Sequence, residues 1–172
     1  MELIELILKR RSVRKYAEVD IPEDKLEKII QAGLLAPTSR NLKPWEFYVV
    51  RDRDTLKKLS GGKGSGAGML ERCAAAIAVF GDSEKADTWI EDCCIAMSFM
   101  MLMAEEQGIG NCWVQFHLRN GSDGSDAEQN VREILSVPDK YRIAGIPSLG
   151  VKEDEPKPHS LNEIDNGKIH LV

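Results

Sequence analysis

Residues 88–116, TWIEDCCIAMSFMMLMAEEQGIGNCWVQF, decide the fold. Thr88 to Gln107 reads as a long helix, apolar on nearly every face, so it belongs inside a core. Its apolar run, Cys93 to Ala104, is broken only by Ser98 and is too short to span a bilayer. Gly108 suits the helix cap. Asn111 to Phe116 then reads as a strand. Gly110, ahead of it, would let backbone N–H groups approach the ring of a ligand.

Outward from this unit, the chain alternates short helices and strands. Residues 2–10 predict a short apolar helix. Residues 23–35 predict an amphipathic one, with Leu26, Ile29, Ile30, Gly33 and Leu34 at helical spacing. Pro22, Glu23 and Asp24 suit its start, and Pro37 stops it. Trp45–Val50 predicts a strand, 53–60 a short helix, Ala74–Phe80 a small buried strand, 127–136 a helix and Ile143–Val151 the last strand. The sum is an α+β fold with the longest helix packed under a sheet. Residues 1–172 read as a single domain. The segment 152–172 has two prolines and many charges but no periodicity, so it reads as an extended tail.

Composition narrows the function. A chain of 172 residues can bury roughly 70% of its unfolded surface. With 42% hydrophobic and 30% charged residues it reads as an ordinary globular protein. A net charge of −5 argues against nucleic acid and anionic membranes as partners. The start, MELIELILKRR, places its charges after the apolar stretch, unlike a secretion signal. Cys73, Cys93, Cys94 and Cys112 have no CxxC spacing and read as reduced, buried thiols suited to a cytoplasmic protein.

Three segments could carry chemistry. KRRSVRK, residues 9–15, holds five basic residues in seven within an acidic protein. It reads either as a charged helix end or as a cradle for one small phosphate, since arginine forks and a serine hydroxyl match phosphate oxygens. APTSRNLKPW, residues 36–45, sets four polar side chains between two prolines and reads as a clamp for a flat polar ligand. GIGNCWVQ, residues 108–115, is the third. GGKGSGAG, residues 61–68, fails the P-loop pattern and follows a helix, so it reads as a surface loop. His117, His159 and His170 are too dispersed for a metal site, and no GxSxG nucleophile elbow occurs.

Four stretches, RRSVRKY, APTSRNLKPWEF, DCCIAMSFMMLMAEEQGIGNCW and IPSLGVKEDEPKPH, occur in an order that resembles the FMN-dependent nitroreductase family. The resemblance implies a nitroreductase-like sandwich with a mostly antiparallel sheet, an intertwined homodimer, and FMN at the dimer interface. Arg10, Arg11, Ser12 and Arg14 would hold the phosphate and ribityl chain. Pro37, Thr38, Ser39 and Asn41 would approach from the other protomer. Gly110, Asn111, Cys112 and Trp113 would lie near the isoalloxazine ring. Gly150, with Lys157 or His159, would close the phosphate end, and the tail 152–172 would dock on the partner. His159 stands where the family often has arginine, and Lys43 where it often has glutamine.

The implied activity moves a hydride from NADH or NADPH through FMN to a small acceptor such as a nitroaromatic or quinone. The chemistry would lie on the flavin, with no catalytic side chain and no metal. Two alternatives are a reductase fed by a protein donor such as ferredoxin, and a flavin-binding module without turnover.

Overall fold

The computed structural model describes residues 2–172. Four strands, β1 (Trp45–Val50), β2 (Ala75–Asp82), β3 (Gly110–Gln115) and β4 (Tyr141–Gly150), form one antiparallel sheet in the order β1-β2-β4-β3. β2 is buried along its whole length. Strand alternation sends Ala75, Ile77 and Val79 to one face and Ala76, Ala78 and Phe80 to the other. The first face packs on α5 (Trp89–Glu106) and α2 (Glu23–Leu34), through Met97, Met100, Cys93 and Ile29. The second packs on α3 (Arg53–Gly61), α4 (Met69–Arg72) and α6 (Ala127–Leu135), through Leu56, Leu59, Leu70 and Val131. The result is an α+β sandwich with the sheet in the middle.

The elements follow the sequence reading closely. α4 is the exception, a single turn anchored by Leu70 that is too short to show periodicity. α1 (Leu3–Lys9) forms as expected but buries none of its residues. α5 also departs from the expectation of burial all round. Its stripe Cys94, Ile95, Ser98 and Phe99 reaches solvent, and Phe99 keeps 41% of its surface. Cys94 is therefore only half-buried, whereas Cys73, Cys93 and Cys112 are buried and all four thiols are free. Among the described residues, no helix is long and apolar enough to cross a membrane.

After α1, an N-terminal arm adds to the sheet. Ser12 pairs with Asn111, and the Val13 N–H donates to the Asn111 carbonyl at 2.8 Å. Tyr16 pairs with Lys152, and its hydroxyl lies 2.8 Å from the Val13 carbonyl and 2.7 Å from Ser148 Oγ. Burial pushes that hydroxyl far above its ordinary pKa. Gly150 sits directly against the Tyr16 ring, where an added Cβ would come within 2.6 Å of Cδ1.

At the other end of β3 a buried carboxylate ties the sheet to α6. Glu128 accepts from Arg142 Nε at 2.9 Å, Arg142 Nη2 at 3.1 Å and the Leu118 N–H at 3.1 Å, and His117 Nδ1 lies 2.8 Å away. Burial alone would raise its pKa, but Arg142, the Leu118 N–H and His117 together hold it below the usual carboxylate range. Such a group contributes stability above the unfolded carboxylate pKa and loses it as pH falls through the folded one. Glu128→Gln is expected to lower stability at pH 7 by about 1.5–3 kcal/mol. The gap should narrow as the solution is acidified through the carboxylate range. Urea midpoints of both proteins at neutral and acid pH measure it; a gap that widens on acidification contradicts it.

Candidate cofactor-binding site

The arm carries the basic cluster. Arg10 is half-buried, while Ser12 and Arg14 are exposed. Among the described residues, Arg10, Arg14 and Arg72 are the arginines without a carboxylate or carbonyl partner. Arg11 donates to the Lys157 carbonyl at 2.7 Å, and Arg40, Arg51, Arg53, Arg119, Arg132 and Arg142 are each partnered. In a protein with 28 acidic residues, the arm thus keeps two unspent guanidinium forks four positions apart.

The tail returns to this cluster. The His159 N–H donates to the Leu8 carbonyl at 2.8 Å, and Lys157 lies against Arg11. The two candidate residues are not equivalent. His159 Nδ1 is 2.7 Å from Glu163 Oε2, so that ring nitrogen is engaged by a carboxylate. Lys157 is exposed, and its ammonium meets no acid among the described residues. From residue 160 onward the tail is exposed throughout, with Leu161, Ile164, Ile169 and Leu171 uncovered.

β3 runs beside the arm. Asn111 is fully buried and donates Nδ2 to the Met101 carbonyl at 3.1 Å, while its Oδ1 has no donor. Cys112 is buried, and the Trp113 indole N–H donates to Gln115 Oε1 at 2.8 Å. The space at Gly110 is filled from within the chain. An added Cβ would lie 2.8 Å from Lys152 Cγ and 3.0 Å from Val13 Cγ1. The close approach that this glycine permits is thus the arm's own. Gly150 serves the same packing under Tyr16. The Lys152 side chain is buried, and its ammonium donates to Glu105 Oε1 at 2.8 Å.

The loop at 37–41 lies elsewhere. Its fold depends on Asp92, a buried acid of α5 whose Oδ1 accepts from the Ser39 N–H at 2.9 Å and whose Oδ2 accepts from Thr88 Oγ1 at 3.2 Å. Thr38 Oγ1 accepts from the Lys43 N–H at 3.2 Å, and Arg40 pairs with Asp87. Arg40, Asn41 and Lys43 all have positive φ, 53°, 55° and 47°. For Arg40 and Lys43 that conformation costs about 1–2 kcal/mol each, whereas asparagine adopts it more readily. The strain is concentrated in one short polar loop, in which Pro37 and Asn41 are exposed.

Within one chain the two clusters lie apart. The loop is anchored at Asp92 and the arm's neighbour Lys152 at Glu105, thirteen positions later on the same helix. At 1.5 Å per residue that is about 20 Å along the axis. The sequence reading singles out the arm and the loop, but not Asp92, which fixes the loop, or Arg72, which stands unpaired. The only signal for Asp92 was an acid set just before an apolar run.

The Nitroreductase family profile matches residues 7–66 and 62–151. An FMN-dependent nitroreductase from Clostridium difficile R20291 is 41% identical, with TM-score 0.95 over 98% of each chain. A Parabacteroides distasonis structure, provisionally named an NADH dehydrogenase/NAD(P)H nitroreductase, is 33% identical, with TM-score 0.90 over 98% of this chain and 96% of that one. An Archaeoglobus fulgidus protein with the same provisional name is 36% identical over 158 residues, 90% of this chain and 87% of that protein.

Proposed function

This chain belongs to the nitroreductase family, and from that premise we propose that it is an FMN-dependent oxidoreductase working as a homodimer. One observation carries the reading: Arg10 and Arg14 stand unpaired on an arm against which the tail brings Lys157. The donor set fits a monophosphate with its attached chain: the Arg10 fork, the exposed Ser12 hydroxyl and an ammonium for the phosphate, and the Arg14 fork further along the arm. Bound there, FMN would supply two-electron chemistry between NAD(P)H and an oxidised acceptor such as a nitroaromatic or quinone.

The protein's part is to hold and orient. Arg10 and Ser12 grip the phosphate end and Arg14 the ribityl chain, with Lys157 as the tail's contribution and His159 held back by Glu163. Arg11 fixes the tail through the Lys157 carbonyl. Gly110, Asn111, Cys112 and Trp113 set the strand beside the ring, and Gly150 keeps the arm in register under Tyr16. Pro37, Thr38, Ser39 and Asn41 come from the second copy.

The uncovered apolar residues of α1 and α5 support that second copy. Leu3, Leu6, Ala32, Phe99 and Leu102 line an apolar groove of about 350 Å3, and Ile95 and Leu35 are exposed nearby in sequence. An apolar stripe of this kind marks a surface that another chain covers. The apolar side chains of the tail beyond residue 160 dock on the same partner.

The purified protein is expected to be yellow and to release FMN, identified by mass, and its visible absorbance should bleach on anaerobic addition of NADH or NADPH. A colourless protein that added FMN does not reconstitute contradicts the reading.

A further inference from the structure

Arg72 is the third arginine without a partner, and the phosphate cradle does not use it. It ends α4 and is exposed. With Arg14 and Lys15 it lines a cleft of about 630 Å3 between the arm and α4, whose walls include Tyr16, Glu18 and Glu153. A cavity of about 340 Å3 shares Tyr16, Glu18 and Arg72 and adds Arg53 and Glu71. Arg53 is already engaged, donating to the Cys73 carbonyl at 3.0 Å. The acids do not quench the remaining cations: among the described residues, no carboxylate comes within 4.0 Å of Arg14, Lys15 or Arg72.

This cleft differs from the phosphate end of the cradle. Lys157 meets the arm at Arg11 and His159 meets α1 at Leu8, whereas the cleft opens at Arg14 to Glu18. The arm is extended between its pairings at Ser12 and Tyr16. At about 3.3 Å per residue, Arg11 and Lys15 are up to about 13 Å apart. One phosphate cannot occupy both ends. The volume also suits a small molecule rather than a lone ion.

We propose that Arg72 and Lys15 bind an oxyanion group of the substrate, a phosphate or a carboxylate, with Arg14 standing between this site and the cofactor cradle. The assignment rests on the oxidoreductase reading above and extends it to the class of substrate: the preferred partner of the flavin carries a negative charge. The two sources are a dinucleotide's phosphates and an acceptor's carboxylate.

Calorimetric titration of the purified dimer with 2′,5′-ADP and, separately, 4-nitrobenzoate tests this, with nitrobenzene as the uncharged control. At least one anion should bind. Arg72→Ala should weaken it about tenfold to a hundredfold, as expected for a lost charge-assisted contact, and Arg72→Lys by less. Bound FMN per chain and circular dichroism should stay unchanged. Binding of 2′,5′-ADP assigns the site to the dinucleotide, and binding of 4-nitrobenzoate assigns it to the acceptor. If neither anion binds, or both bind Arg72→Ala as tightly as the wild type, the proposal is overturned. A protein that binds the anion through Arg72 but holds no FMN overturns the flavin reading and leaves this site standing.

Discussion

Replacing Arg10 and Arg14 together with alanine is expected to weaken FMN binding by at least about a hundredfold. Neither guanidinium meets a protein acceptor, so removing them breaks no internal bond and leaves no buried charge behind. The loss should therefore appear in cofactor affinity and not in stability. Each charge-assisted contact is worth about 1.5–3 kcal/mol, Arg10 acting at the phosphate and Arg14 further along the cofactor's ribityl chain. Arg14→Lys separates charge from geometry, because lysine keeps the positive charge but not the planar fork. It should fall between wild type and alanine. Fluorescence titration of flavin-free protein with FMN measures all three. Wild-type affinity in the double variant would remove the cradle.

Phe99→Glu is expected to produce a folded monomer that retains no flavin. In one chain Phe99 is 41% exposed and lies on the outer stripe of α5, so glutamate there costs the isolated fold little. In a two-fold dimer the change occurs twice in one apolar interface. Burying an unpaired carboxylate costs several kcal/mol per ion, enough to separate the chains at micromolar concentration. The Pro37–Asn41 loop of the other copy would then be lost from the site. Sedimentation and visible absorbance read the two consequences, while circular dichroism confirms the fold. A dimer that keeps its full flavin complement would show that this stripe is not the interface.

Much of the architecture was legible because it rests on long local patterns. α5 and β2 are apolar over enough residues to be read directly, and α2 shows its periodicity at Leu26, Ile29 and Ile30. Periodicity does not say who covers an apolar face. Phe99 and Ile95 look like core residues in the sequence, yet this chain leaves them open. The basic arm was legible as a concentration of charge. Asp92 and Arg72 were not, since each is a single charged residue whose part depends on a distant partner or wall. Ser39 and Asp92 are 53 positions apart. Gly110 could be read as room for a ligand, and Gly150, by resemblance, as part of the phosphate end. The fold gives that room to Val13, Lys152 and the Tyr16 ring. The positive φ of Arg40 and Lys43 has no sequence signal, because long basic side chains do not mark left-handed backbone.

The central claim is that each site joins one chain's arm to the other chain's loop. Heterodimers of two differently tagged variants test it directly, one chain carrying Arg10→Ala with Arg14→Ala and the other Thr38→Ala with Asn41→Ala. Each homodimer has both of its sites damaged. The heterodimer has one site with every lesion and one with none. FMN bound per purified heterodimer should rise to one, while both homodimers stay empty. Heterodimers as empty as the homodimers would contradict a site shared between chains.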